Sequence, residues 1–288
     1  MSAPRMALAV LAAASLAACS FIPTYERPPA PVPAAFPYPA AEQGTPAAAL
    51  DWQQFFADPR LRELIGTALA NNRDLRVALL NVEQARAQYD IRRADLLPSV
   101  GVGLNANRAP SPVNGDQVTN WQAGFLLSAW EIDFFGRLRS LSEAAVAQYL
   151  ATEEGRKAAQ VTLVSSVANT WLSVVAGEEL LALTQQTLAT REDSLRLTRL
   201  RFEQGVSSEL DLQLAQSLAE TARAALAQQQ RQRAVDLNAL ALLVGQPLPT
   251  TFATGTSLVA VQLPDVPAGL PSDVLAARPD VRQAEQQL

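Results

Sequence analysis

Cys19 is the only cysteine in the 288 residues, and it closes Leu16-Ala17-Ala18-Cys19. Ahead of it, Arg5 gives a weak positive start and Met6 to Leu16 form an apolar run. That run is too short to span a bilayer, which takes about 20 residues, and it has the form of an export signal over residues 1–18. A thiol directly after small residues at the end of such a run matches a lipobox. After cleavage there, the sulfur would carry a diacylglycerol and the new amino group a third acyl chain. Each buried methylene contributes about 0.8 kcal/mol; one chain anchors marginally, and three hold firmly. The alternative is a small buried hydrophobe, a common place for a free Cys.

Little else in the composition offers chemistry. No second Cys exists for a disulfide or a thiolate metal site, and there is no His, the commonest general base and metal ligand. No glycine loop cradles a phosphate. No cofactor, metal or catalytic residue is therefore expected. A net charge of −5 makes nucleic acid an unsuitable partner. Hydrophobic residues make up 49%, so much of the surface must be covered by something.

The elements around Cys19 form a sequence of changing periods. Residues 19–57 begin with a Pro/Ala-rich tether, "FIPTYERPPAPVPAAFPYPA", in which Phe21, Tyr25, Phe36 and Tyr38 can hold it against a folded body. A short helix is expected over 58–71. On the next helix Leu75, Val82, Tyr89 and Leu96 fall seven apart, and Pro98 closes it. The period then drops to two. Val100, Val102, Leu104 and Ala106 alternate with Gly101, Gly103, Asn105 and Asn107, which predicts a strand over about 99–108. A turn-rich loop leads to a second strand over about 121–130, with Trp121 and Trp130 at its ends, where the aromatic girdles of a membrane barrel lie. About ten residues is the length of a tilted membrane strand. The same residues would also suit an ordinary hairpin packed on a helix.

The helical period returns over about 138–204. Val167, Val174, Leu181, Leu188, Leu195 and Phe202 mark a narrow heptad seam. Such a helix would be a rod of roughly 100 Å. Gly205, Val206, Ser207 and Ser208 form a break, and a return helix follows over about 209–244, with Leu212, Ala215, Ala219, Ala222 and Leu226 on one face. Gly205 suits a left-handed helix end, a serine an N-cap, and Asp211 the positive end of the return helix. A connector, 246–270, comes next.

"LAARPDVRQA" from Leu275 then matches "LANNRDLRVA" from Leu69 at an offset of about 206 residues. Residues 58–245 read as a first structural repeat, and 271–288 as the start of a second. On this reading the chain breaks off inside the second copy and is a piece of a longer protein.

Taken together, "AACS", "DWQQFFADPRLRELI", "WEIDFFGRLR", "FEQGVSSELDLQLAQ" and "ARPDVRQAEQQL" resemble the outer-membrane factor (TolC-like) superfamily, more closely the NodT/OprM-type efflux lipoproteins. The resemblance implies a mainly α fold with a β-hairpin. It also implies a homotrimer in which each protomer gives four strands to a twelve-stranded barrel and long antiparallel helices to a periplasmic tube; this chain would hold half of that duplicated unit. The implied function is the passive exit duct of a tripartite efflux system, served by a periplasmic adaptor and an inner-membrane RND-type transporter. Ser20 rather than Asp after Cys19 resembles the sorting signal for the outer membrane. In such ducts the hairpin tips meet the adaptor and form the gate. Gly205, Val206 and Ser207 match the tip turn, and Asp211 matches a carboxylate that pairs across helices in the closed gate. Relatives often carry Gly-Leu or Gly-Ala where this chain has Gly-Val-Ser, which bears on adaptor pairing.

Three other readings remain open on the sequence. A structural coiled-coil lipoprotein of the envelope would share the heptads but has no use for the alternating strands. A truncated remnant without function would have the same sequence. A soluble enzyme is disfavoured by the missing His and Cys.

Overall fold

The computed structural model describes residues 25–28, 51–112, 115–127, 130–249, 252, 255–264 and 273–288. The export signal, Cys19 and most of the proposed tether lie outside the described residues. The chain divides into two compact units, and three of its helices contribute to both.

The larger unit, residues 32–79 and 155–281, holds the core. A short helix α1 (Trp52–Phe55) is capped by Asp51, and α2 (Pro59–Asn71) by Asp58, whose carboxylate accepts the N–H groups of Arg60 and Leu61. Pro59 stands in the first turn of α2, where a missing N–H costs nothing. From α2, Leu61, Leu64, Ile65 and Ala68 bury one stripe. They meet Leu163, Val167, Trp171, Val174 and Val175 of the 67-residue helix α4 (Arg137–Glu203), and Leu240 and Val244 of α5 (Glu209–Val244). Steps of three and four along α4 keep these side chains on one face. By length and composition alone α4 is also apolar enough to cross a membrane; Leu163 to Val175 use that character in the core.

Past the core, α4 and α5 run as an antiparallel pair. Coverage of the α4 seam fades along the chain: Val167 and Val174 are buried, Leu181, Leu188 and Leu195 half-buried, and Phe202 exposed. On α5, Ala219 and Ala222 are buried, and Leu212, Ala215 and Leu226 half-buried. Two ion pairs join the helices at different heights. Arg233 meets Glu178 at 2.9 Å and Arg223 meets Glu192 at 2.6 Å.

A close backbone approach fixes the foot of α5. Gly245 ends the helix in the left-handed conformation, φ 77°, and a methyl group there would collide with the Asn71 carbonyl. Next to it, buried Asn72 links two helix ends. Its amide donates to the Leu243 carbonyl (2.9 Å), and its oxygen accepts the Leu75 N–H (2.8 Å) at the start of α3 (Arg73–Ala94). Two short helices close this part of the chain, α6 (Asp273–Ala277) and α7 (Pro279–Gln286), in the segment that matches Leu69 onward.

The smaller unit takes in residues 80–154 and 282–288 together with the described part of the tether. Its centre is an antiparallel hairpin, β1 (Val100–Pro110) and β2 (Gln117–Leu127). The second strand differs from the sequence expectation of about 121–130. It starts at Gln117, because Val118 and Thr119 pair with Ala109 and Arg108, and the Ser111 N–H reaches the Asp116 carbonyl to close the loop. Trp121 therefore stands inside the strand, opposite Ala106, rather than at its end.

Candidate functional site

The hairpin register sorts its side chains. On one face Val100 stands against Leu127, Val102 against Phe125, Leu104 against Ala123 and Ala106 against Trp121. On the other, Gly101 stands against Leu126, Gly103 against Gly124, Asn105 against Gln122, Asn107 against Asn120 and Ala109 against Val118. The apolar face changes character past Trp121, where Arg108 meets Thr119. So Trp121 does mark an edge, that of the apolar band. Val102 is 80% exposed and Phe125 83%. A band of large apolar side chains this open to water is unstable unless something apolar covers it. Behind it, Gly103 leaves room for Leu126, which a β-carbon there would strike. A two-stranded hairpin also leaves two edges of unpaired backbone groups, which hydrocarbon does not tolerate; further strands must close it.

At the base of the hairpin an ionic clasp turns strand into helix. The Asp133 carboxylate accepts the Arg139 N–H at 3.0 Å, and its side chain is only 10% accessible. Beside it, the Arg137 guanidinium grips Glu131 through two hydrogen bonds. The Arg139 N–H holds the Asp133 carboxyl below its usual range against the opposing effect of burial; the Leu138 and Arg137 N–H groups and the Arg139 charge add to the lowering. Glu131 is lowered chiefly by its bonds to Arg137. A carboxylate on the free N–H groups of a helix start offsets the positive end of the dipole. The Trp130 indole donates to the Leu96 carbonyl at 3.3 Å, tying the end of the hairpin to the end of α3. Asp133 was not among the residues singled out in the sequence. The signal available was an acid four residues ahead of the α4 start, with Gly136 between.

At the far end of α4 the sequence-selected tip residues come together. Gly205 has φ 72°, its N–H reaches the Phe202 carbonyl (2.9 Å), and the Val206 N–H reaches Arg201 (2.8 Å). These two bonds make a Schellman end. Val206 is exposed at the turn. Ser208 caps α5 and Asp211 completes a capping box: Ser208 Oγ accepts the Asp211 N–H, and the Asp211 carboxylate accepts the Ser208 N–H. Both Ser208 Oγ (2.6 Å) and Ser207 Oγ (3.2 Å) donate to the same Asp211 oxygen. These bonds, led by the Ser208 hydroxyl, lower the Asp211 carboxyl. Cys19, the remaining selected residue, lies outside the described residues. No group of three or more acidic, His or Cys side chains suited to a metal occurs among the described residues.

An amphipathic membrane hairpin joined to a long antiparallel helix pair defines a class: outer-membrane proteins with a helical extension. Comparison with known proteins narrows it. The family described as "Outer membrane efflux protein" matches residues 64–246. The chain belongs to that family. It is 45% identical over 95% of its length to the probable efflux pump outer membrane protein TtgC of Pseudomonas putida, covering 59% of that protein. With OprJ of Pseudomonas aeruginosa it shares 41% identity over 97% of this chain and 60% of that one. Among solved structures, the open-state MtrE outer membrane channel of Neisseria gonorrhoeae superposes with a TM-score of 0.78 at 37% identity, over 93% of this chain and 61% of that one. The chain thus spans about three-fifths of the length of these relatives.

Proposed function

We propose that this chain supplies part of the outer-membrane exit duct of a tripartite efflux system, conducting small molecules passively. The hairpin register carries the reading, because it puts large apolar side chains along one face and mostly small or polar ones on the other, with Leu126 and Val118 the exceptions near its two ends. In a barrel closed by further strands, the first face meets lipid and the second a water-filled lumen. The helix pair of α4 and α5 extends the lumen into the periplasm, as one protomer of a homotrimer. The inner-membrane RND-type transporter supplies the energy, so the duct carries out no chemistry and needs neither metal nor cofactor. The relatives' names, which are those of efflux pump components, support this assignment.

Cys19 is the lipid attachment point, and the protein resides in the outer membrane. The tip turn, Gly205-Val206-Ser207, presents the exposed Val206 to the periplasmic adaptor. Asp211 serves as a gate carboxylate; its capping box holds the carboxylate at the tip, where helices of neighbouring protomers meet.

The test is complementation. A strain lacking its efflux duct, but retaining adaptor and transporter, should regain resistance to the pump's substrates when the full-length protein is expressed. It should lose that resistance with Leu104→Arg on the lipid face. Restoration by the Leu104→Arg variant at equal abundance would contradict the duct reading. Cys19→Ser should end palmitate labelling, and persistent labelling would contradict the lipid attachment.

A further inference from the structure

The connector is stitched to three helices within a few residues. Thr256 Oγ1 donates to Asp58 Oδ2 (3.3 Å) at the start of α2. Ser257 Oγ and the Leu258 N–H both donate to Glu179 Oε1 of α4, each at 2.7 Å, and hold that carboxyl below its ordinary range. The Arg233 guanidinium of α5 meets the Phe252 carbonyl at 3.4 Å as well as Glu178 of α4. Gly255 takes the left-handed conformation, φ 57°, and a β-carbon there would strike the Arg60 guanidinium. Adjacent carboxylates of α4 thus hold different elements. Residues 237–264 contain no charged side chain, so every charge in these contacts comes from the helices.

Packing differs on the two sides of this level. Toward the start of α4, Val167, Trp171, Val174 and Val175 are fully buried in the core with α2 and α5. A close-packed core transmits displacement as a unit. Toward the tip, Leu181, Leu188 and Leu195 are half-buried, and α5 answers with the small side chains of Ala219 and Ala222. Few buried apolar contacts mark the part of a structure that moves at low cost. The ion pairs follow the same division. Arg233 and Glu178 are 30% and 21% exposed, against 51% and 48% for Arg223 and Glu192, so solvent screens the second pair more. From Glu179 to Glu203 α4 runs about 36 Å. A tilt of about 10° at Glu179 carries the tip about 6 Å.

We infer that residues 255–258 are a strap that fixes α2 and α4 together at Glu179, beside the Glu178–Arg233 link to α5, and that Glu179 is a positioning residue for the tip. The helix pair stays rigid on the core side of this level and bends on the tip side. This rests on the duct reading, in which the tip is the gate. Glu179 touches nothing at the tip; it acts by holding the strap. Opening at Gly205 is then a swing of the last part of the pair about a fixed level, not a separation along its whole length. The strap needs the acceptor rather than the charge, because an amide oxygen takes the same two donors that share Glu179 Oε1.

The test uses the full-length protein in outer membranes, with one spin label per protomer at Val161, Leu183 or Leu200, all exposed on α4. In a trimer each label gives one distance between protomers, and the width of its distribution reports motion at that height. The parent should give narrow distributions at Val161 and Leu183 and a broad one at Leu200. Glu179→Ala with Ser257→Ala should at least double the width at Leu183 and leave Val161 unchanged, whereas Glu179→Gln should match the parent. A parent distribution at Leu183 as broad as that at Leu200, or one unchanged in the double variant, would overturn the positioning role. Separately, hydrogen exchange of the Leu258 N–H should speed up at least tenfold in Glu179→Ala, and an unchanged rate would overturn the strap. Absence of any distance between protomers would refute the trimeric duct, and the Leu258 exchange would still decide the strap.

Discussion

Val102 and Phe125 face each other across the β-ladder and are the two most open large apolar side chains of the hairpin, at 80% and 83% exposure. Their neighbours Gly103 and Gly124 form the next pair and point the other way. One step along the chain thus moves from a face suited to lipid to one suited to water. Adjacent residues should respond in opposite ways to the same charge.

Leu104 and Asn105 test this in the middle of the apolar band. Leu104→Arg puts a charge into lipid, at a cost of about 2–4 kcal/mol at the bilayer midplane, while Asn105→Arg meets the lumen. The expected outcome is a strong loss of assembled protein for the first and near-normal assembly for the second, read as the heat-sensitive oligomer on gels.

Gly245→Ala should destabilise the protein by about 1–3 kcal/mol, since a non-Gly residue held in a left-handed conformation carries that strain. The collision with the Asn71 carbonyl leaves no room to relax. The measurement is the shift in denaturation midpoint. Gly177→Ala is the control: nothing lies within 4 Å of the added methyl, and alanine should stabilise the helix by roughly 0.5–1 kcal/mol.

Trp171 is fully buried in the core of α2, α4 and α5, and its indole N–H has no hydrogen-bond partner among the described residues. Trp171→Ala should cost about 3–5 kcal/mol. Trp171→Phe should cost clearly less, because it also removes the unsatisfied donor. Chemical denaturation of the two variants checks the order.

The Asp133 clasp predicts a pH dependence. Its carboxyl is held below the ordinary value of 3.8 in the fold. The stabilisation is therefore complete above that value and is lost as pH falls through the lower folded one. Asp133→Asn should behave at neutral pH as the parent does in strong acid, with early loss of order at the start of α4. Hydrogen exchange of Leu138 and Arg139 across pH would show it.

Much of this architecture could be read from the sequence because it depends on periodicity. The seam residues Leu75, Val82, Tyr89 and Leu96 are each buried or half-buried, and Gly205 and Ser208 end and begin their helices through local bonds alone. The start of β2 was not legible. Gln117 to Asn120 lie in a turn-rich stretch, and only pairing with β1 makes them strand. Long-range contacts were equally hidden: Asn72 on Leu243, Arg233 on Glu178 and Glu285 on Tyr25 join residues with no shared local pattern. Asp211 shows a third case, where one residue fits two roles. Its capping box is geometric fact, whereas a role in a gate depends on neighbouring protomers.

The most direct measurement of the central claim is spin-label accessibility at Phe125 and Gln122 in the assembled protein in its membrane. A label at Phe125 should collide with oxygen, which concentrates in lipid, and a label at Gln122 with a water-soluble nickel complex. Alternation of this kind along β2 is the predicted result. Equal accessibility of both sites to the nickel complex would place both faces in water and contradict the membrane duct.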